Sequence, residues 1–203
     1  MVIVAHPDDE VLWAGGTILQ HSDSNWYITA LCRKNDPDRS PRFFQALKVL
    51  HADGAMADLD DTPDQPPLPI PLVEAAILAS LPEGRCGLVI THNPHGEYIR
   101  HRRHEEVGKA VLSLWRKGQL KCEEVWLFAY EEGGRSYLPR AVETADMVQV
   151  LPASIWRRKY ELITGIYGFQ EDGFEARTTP RVEAFWHLTR NSKLSRWLEE
   201  DDR

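Results

Sequence analysis

The chain has 203 residues, 42% apolar and 27% charged, the balance of one soluble domain large enough to bury a real core. Its 24 Lys and Arg against 31 Asp and Glu leave a net charge of −7, which excludes the basic footprint of a nucleic-acid binder. No apolar run is long enough to span a bilayer, and no basic stretch followed by an apolar run and a cleavage site opens the chain, so neither insertion nor secretion is expected.

Residues 2–5 are apolar and read as a buried strand, cut off by His6-Pro7. Asp8, Asp9 and Glu10 then open a helix running to about Gln20, where negative charge suits the N-terminal dipole. Residues 27–32 read as a second strand, and Phe43, Ala46, Leu47 and Leu50 fall at helical spacing. Residues 60–71 hold five prolines and read as a loop. A helix over 73–81, a strand over 88–91, a helix over 105–115 and a strand over 125–130 follow. The alternation predicts a Rossmann-like α/β fold, a mostly parallel sheet with helices on both faces. Residues 155–167 and 182–198 read as helices forming a C-terminal cap on the same domain, so residues 1–203 are expected to be one domain. Cys32, Cys86 and Cys122 are odd in number and match no disulfide or zinc spacing; they are expected as free thiols of a cytoplasmic protein.

Two clusters carry chemistry. Ala5-His6-Pro7-Asp8-Asp9-Glu10 sits where the first strand ends, and open parallel sheets bind ligands beyond the carboxyl ends of their strands. An imidazole next to a carboxylate is half a zinc site, and a bound cation relieves the repulsion between adjacent acids. The second cluster, residues 91–104, follows another strand and holds four of the chain's eight histidines; His101 and His104 lie one helical turn apart. Catalytic zinc needs three protein ligands, an open position, a base and an oxyanion partner. His6, Asp9 and His104 supply the ligands, Asp8 the base, and His101 the oxyanion partner or the acid for the leaving amine.

Together the two clusters resemble the LmbE/PIG-L family of metal-dependent deacetylases, with its Ala-His-Pro-Asp-Asp-Glu turn and its later His-x-x-His element. The resemblance implies a zinc ion and hydrolysis of the N-acetyl group of an N-acetylglucosamine-type amino-sugar, free or as part of a glycan, nucleotide-linked, lipid-linked or natural-product molecule, with the five residues in the roles just given. It also implies a substrate-binding role for Arg39. Gly15-Gly16, Tyr167 and Gln170 fit the same pattern. The chain departs from it in two places. Arg42 stands where an acid is usual, and Arg102-Arg103 replace the Pro-Asp common between the two histidines, which by charge disfavours protonation of His101. Arg100, with its arginine neighbours, is a candidate for a substrate phosphate, and Tyr98 for the oxyanion. Glu131 to Gly134 are expected at the pocket mouth. The ligand types suit Zn2+, with Fe2+ or another divalent ion as the alternative. A homo-oligomer fits the sequence as well as a monomer. The competing readings are an amidase acting on a thiol-conjugated sugar, and a catalytically silent sugar-binding relative. A dinucleotide-dependent oxidoreductase is disfavoured, because the first turn lacks a Gly-x-Gly-x-x-Gly loop.

Overall fold

The computed structural model describes residues 1–64, 66–98 and 100–198, apart from the Arg196 side chain. The elements run β1 (Val2–Val4), α1 (Asp9–Gln20), β2 (Trp26–Cys32), α2 (Arg39–Leu50), β3 (Ala52–Leu59), α3 (Ile70–Ser80), β4 (Cys86–Thr91), α4 (Arg102–Arg116), β5 (Cys122–Phe128), β6 (Tyr130–Glu131), β7 (Arg140–Ala141) and β8 (Met147–Val150). They continue with α5 (Ala153–Glu161), which widens into one π turn (Leu162–Ile166), then α6 (Phe174–Thr178), β9 (Val182–Thr189) and α7 (Ser195–Leu198). The main sheet has the order β3-β2-β1-β4-β5-β9-β8. Strands β1 to β5 pair in parallel, and β9 runs antiparallel between β5 and β8.

The central strand is short and apolar on both faces, as a doubly covered parallel strand must be. Val2 and Val4 enter one apolar cluster with Val11, Phe43 and Leu162; Ile3 and Ala5 enter the other with Val107 and Val111. From β1 the chain winds outward to β2 and β3, then crosses back to β4 and β5. The order therefore reverses between β1 and β4, the crevice where such sheets hold ligands. Both chemical clusters follow these two strands.

One expectation is corrected, and one strand was not foreseen. The stretch 182–198 is not one helix but β9 followed by the short α7. Apolar residues at 182, 184, 185, 186 and 188 satisfy either period, and hydrogen bonding to β5 on one side and β8 on the other decides for a strand. The helical cap is accordingly smaller than expected, and the sheet gains two antiparallel strands. The other case is β3, whose sequence Ala-Asp-Gly-Ala-Met-Ala-Asp-Leu lacks β-branched residues and is made a strand by pairing along β2.

A buried carboxylate in β9 anchors α1. Glu183 accepts from the Gly16 and Thr17 backbone N–H groups and the Thr17 hydroxyl, each at 2.7 Å, and pairs with the fully buried Lys159 of α5, also at 2.7 Å. A Cβ on Gly16 would lie 2.4 Å from the Leu151 methyl groups and 2.9 Å from the Glu183 carboxylate, so only glycine admits this contact. Cys32, Cys86 and Cys122 are free thiols. No helix among the described residues is long and apolar enough to cross a membrane.

Candidate metal centre

The first cluster is held in a strained turn. Asp8, at the N-cap of α1, has φ 115° and ψ −32°, a conformation costly for any residue with a Cβ. Glu10 braces the turn: it accepts the Asp8 N–H at 3.0 Å and, on its other oxygen, the Tyr167 hydroxyl. Burial pushes the Glu10 carboxyl up to about 7. Asp8, Arg33 and Arg135 are three of the non-glycine residues with positive φ, and all three line one pocket.

Three donor atoms converge at the floor of this pocket. His6 Nδ1 lies 3.2 Å from Asp9 Oδ2 and 3.1 Å from His104 Nε2, and His104 Nε2 lies 3.3 Å from Asp9 Oδ2. The far nitrogens of both rings face carboxylates: His6 Nε2 is 3.1 Å from Asp61, and His104 Nδ1 is 2.9 Å from Glu97. A carboxylate only accepts, so those nitrogens carry the protons of the neutral rings and leave three lone-pair atoms pointing at one another. Ligand bonds of about 2.0–2.1 Å at tetrahedral angles place donors roughly 3.3 Å apart. The donor set and its spacing fit a divalent cation. Asp9 Oδ1 accepts the Trp13 indole N–H at 3.2 Å, so this donor too is steered from outside. Burial opposes the charge on Asp9, but His104, His6 and His92 outweigh it and hold its carboxyl well below the usual range.

His92 belongs to the scaffold. Asp9, His92 and His104 form a second close donor group, but His92 donates through Nδ1 to Glu97 at 2.7 Å and accepts the Ala5 N–H on Nε2 at 2.9 Å. Its lone pair is spent. Glu97 thus bridges two histidines and also takes the Asn93 N–H at 3.0 Å.

The remaining expected residues fall as follows. Asp8 borders the donor triangle, and its Oδ2 lies 3.2 Å from Arg39 Nη1; burial and the adjacent Asp9 push its carboxyl well up. Arg39 stacks on Phe169 at 4.4 Å. The His101 ring stacks on His104 at 4.3 Å and meets His6 edge-on at 4.8 Å. His101 Nδ1 is buried without a hydrogen-bond partner among the described residues, and the ring offers a donor atom close to those of His6 and His104. Burial, then the neighbouring His104 and His6, lower its pKa to about 3. The arginines next to it in sequence are not the cause. Tyr98 lines the pocket and packs on Trp13 and Phe174. Arg100 lies outside the pocket lining and pairs with Glu105. Arg103 is buried in α4, away from the ligand space. Glu132 stands at the pocket wall with Arg135 and Tyr137, and the cavity measures about 850 Å³, within the range of ligand sites.

Sequence reasoning missed Glu97, Asp61 and His92 as partners of the donors. The density of histidines in the second cluster pointed to His92 at most, and nothing in the sequence pointed to Asp61.

A family profile described as PIG-L, GlcNAc-PI de-N-acetylase, matches residues 1–115. No curated protein matches the chain by sequence. Among solved structures, N,N'-diacetylchitobiose deacetylase from Pyrococcus horikoshii is similar at 15% identity and TM-score 0.66, covering 93% of this chain and 82% of the other. A deacetylase of teicoplanin biosynthesis is similar at 15% identity and TM-score 0.65, covering 95% and 98%. A 4-carboxy-2-hydroxymuconate hydratase from Pseudomonas putida is similar at 15% identity and TM-score 0.61, covering 95% and 96%. At such identities the likeness is one of fold, and that fold serves more than one chemistry.

Proposed function

This chain belongs to the PIG-L family of GlcNAc-PI de-N-acetylases, and from that premise we propose that it is a metal-dependent hydrolase that removes the N-acetyl group from an N-acetylglucosamine-type amino-sugar. The observation that carries the reading is the triangle of lone-pair atoms from His6, Asp9 and His104, with the unligated Asp8 carboxylate beside it in an open pocket. We assign the metal to those three residues, and residues 1–203 to one catalytic domain. Zinc suits two imidazoles and a carboxylate, as does Fe2+.

When bound, the cation supplies Lewis acidity toward the acyl oxygen and acidifies water. The chain's own residues do the rest. Arg39 fixes the Asp8 carboxylate, which takes the proton of the attacking water. His101, kept neutral, donates from Nε2 to the oxygen that becomes negative as the tetrahedral centre forms. Asp8 then returns the proton to the departing amine, and acetate leaves. Tyr98, Tyr137 and Phe174 offer flat apolar faces to a sugar ring or its aglycone.

The test is acetate release from a panel of N-acetylglucosamine derivatives by metal-loaded protein. Asp8→Ala is expected to lower turnover by about 10²–10⁴-fold with metal content unchanged. A fully active Asp8→Ala enzyme contradicts the assignment.

A further inference from the structure

Arg103 stands between the two histidines of the second cluster, where aspartate is usual, and it is only 1% exposed. Its guanidinium does not face the pocket. Nε donates to the Asp60 carbonyl at 2.5 Å, Nη2 to the Pro66 carbonyl at 3.0 Å, and Nη1 to Glu106 at 2.5 Å. The other Glu106 oxygen accepts the Leu68 N–H at 2.9 Å. These two side chains of α4 therefore grip the proline-rich connection between β3 and α3 at residues 60, 66 and 68. Thr62, Pro63, Asp64, Pro66 and Pro67 of this connection are exposed, so the grip stands in for a packed core.

The gripped loop carries Asp61, whose Oδ1 lies 3.1 Å from His6 Nε2, while Arg33 holds its Oδ2 at 2.7 Å. A carboxylate behind a ligating imidazole fixes both the tautomer and the ring orientation. We infer that Arg103 and Glu106 are positioning residues for the metal centre: they lock the loop so that Asp61 aims His6 Nδ1 at the other two donors. The inference rests on the metal-dependent reading above.

The experiment is a double-mutant cycle on zinc affinity, measured by competition with a chromophoric chelator, with thermal unfolding of the metal-free proteins in parallel. The variants are Arg103→Ala, Asp61→Ala and the pair. Each single change is expected to weaken zinc binding about 10–100-fold. Because both act through one contact, the double variant should bind within about threefold of the weaker single. Should Arg103→Ala fail to fold, Arg103→Lys, which keeps the charge but cannot reach both carbonyls, takes its place and is expected to lose part of the affinity. Zinc affinity unchanged in the Arg103 variant, or effects that multiply in the double variant, overturn the inference while the function stands. A wild-type protein that binds no zinc overturns the function reading and the inference together.

Discussion

The donor triangle has two unlike sides. On the His104 side, the supporting carboxylate is Glu97, buried with His92 in the core beneath α4 and satisfied by two imidazoles and a backbone N–H. On the His6 side, the support is Asp61, carried by an exposed loop and backed by an arginine whose side chain is 41% exposed. One half of the site is built into the fold, and the other is delivered to it. Stability and metal affinity should therefore separate: changes at Glu97 should cost both, and changes at Asp61 or its exposed partner Arg33 mainly affinity.

The largest expected effect comes from Glu97→Ala. It leaves the His92 and His104 Nδ1–H groups, both buried, without their common acceptor, and each buried donor left unsatisfied costs about 1–3 kcal/mol. Urea unfolding of the metal-free protein should register that loss, and metal binding should fail; native stability in this variant would erase the distinction between the two sides. Next is Gly108→Ala. A Cβ there would lie 2.6 Å from the His92 carbonyl oxygen and 2.9 Å from Pro94 N, so α4 would be pushed off the loop that holds Glu97. Overpacking of this kind costs about 1–3 kcal/mol, again read by urea unfolding. The smallest effect is expected for Arg33→Ala. It removes a largely exposed partner of Asp61, so stability should move by less than about 1 kcal/mol while zinc affinity falls measurably. A loss of stability matching that of Glu97→Ala would show that the His6 side is also part of the core.

The same asymmetry governs what the sequence reveals. His6, Asp8, Asp9, His101 and His104 are legible because their chemistry is packed into two short segments, each directly after a strand. Their partners are not. Asp61 is 55 residues from His6 and meets it only because the loop folds back over the carboxyl end of β1. Glu97 is near His104 in sequence, but nothing in its spacing says that its carboxylate turns inward. Arg103 beside His104 reads as one of a group of arginines that could meet a substrate phosphate, and only the route of the proline loop makes it buried. In the fold, the parallel half follows from apolar runs alternating with helical spacing. The C-terminal part does not, because β9 carries a pattern compatible with either period, and its neighbours β5 and β8 resolve it.

Where the cation binds is measured most directly by a crystal structure of the zinc-loaded protein with anomalous data collected at the zinc edge. The expected result is one peak bonded to His6 Nδ1, Asp9 and His104 Nε2, with Glu97 and Asp61 still behind the two rings. A peak held instead by His6 Nε2, Cys32 and Asp61, or no peak within reach of Asp9 and His104, would contradict it.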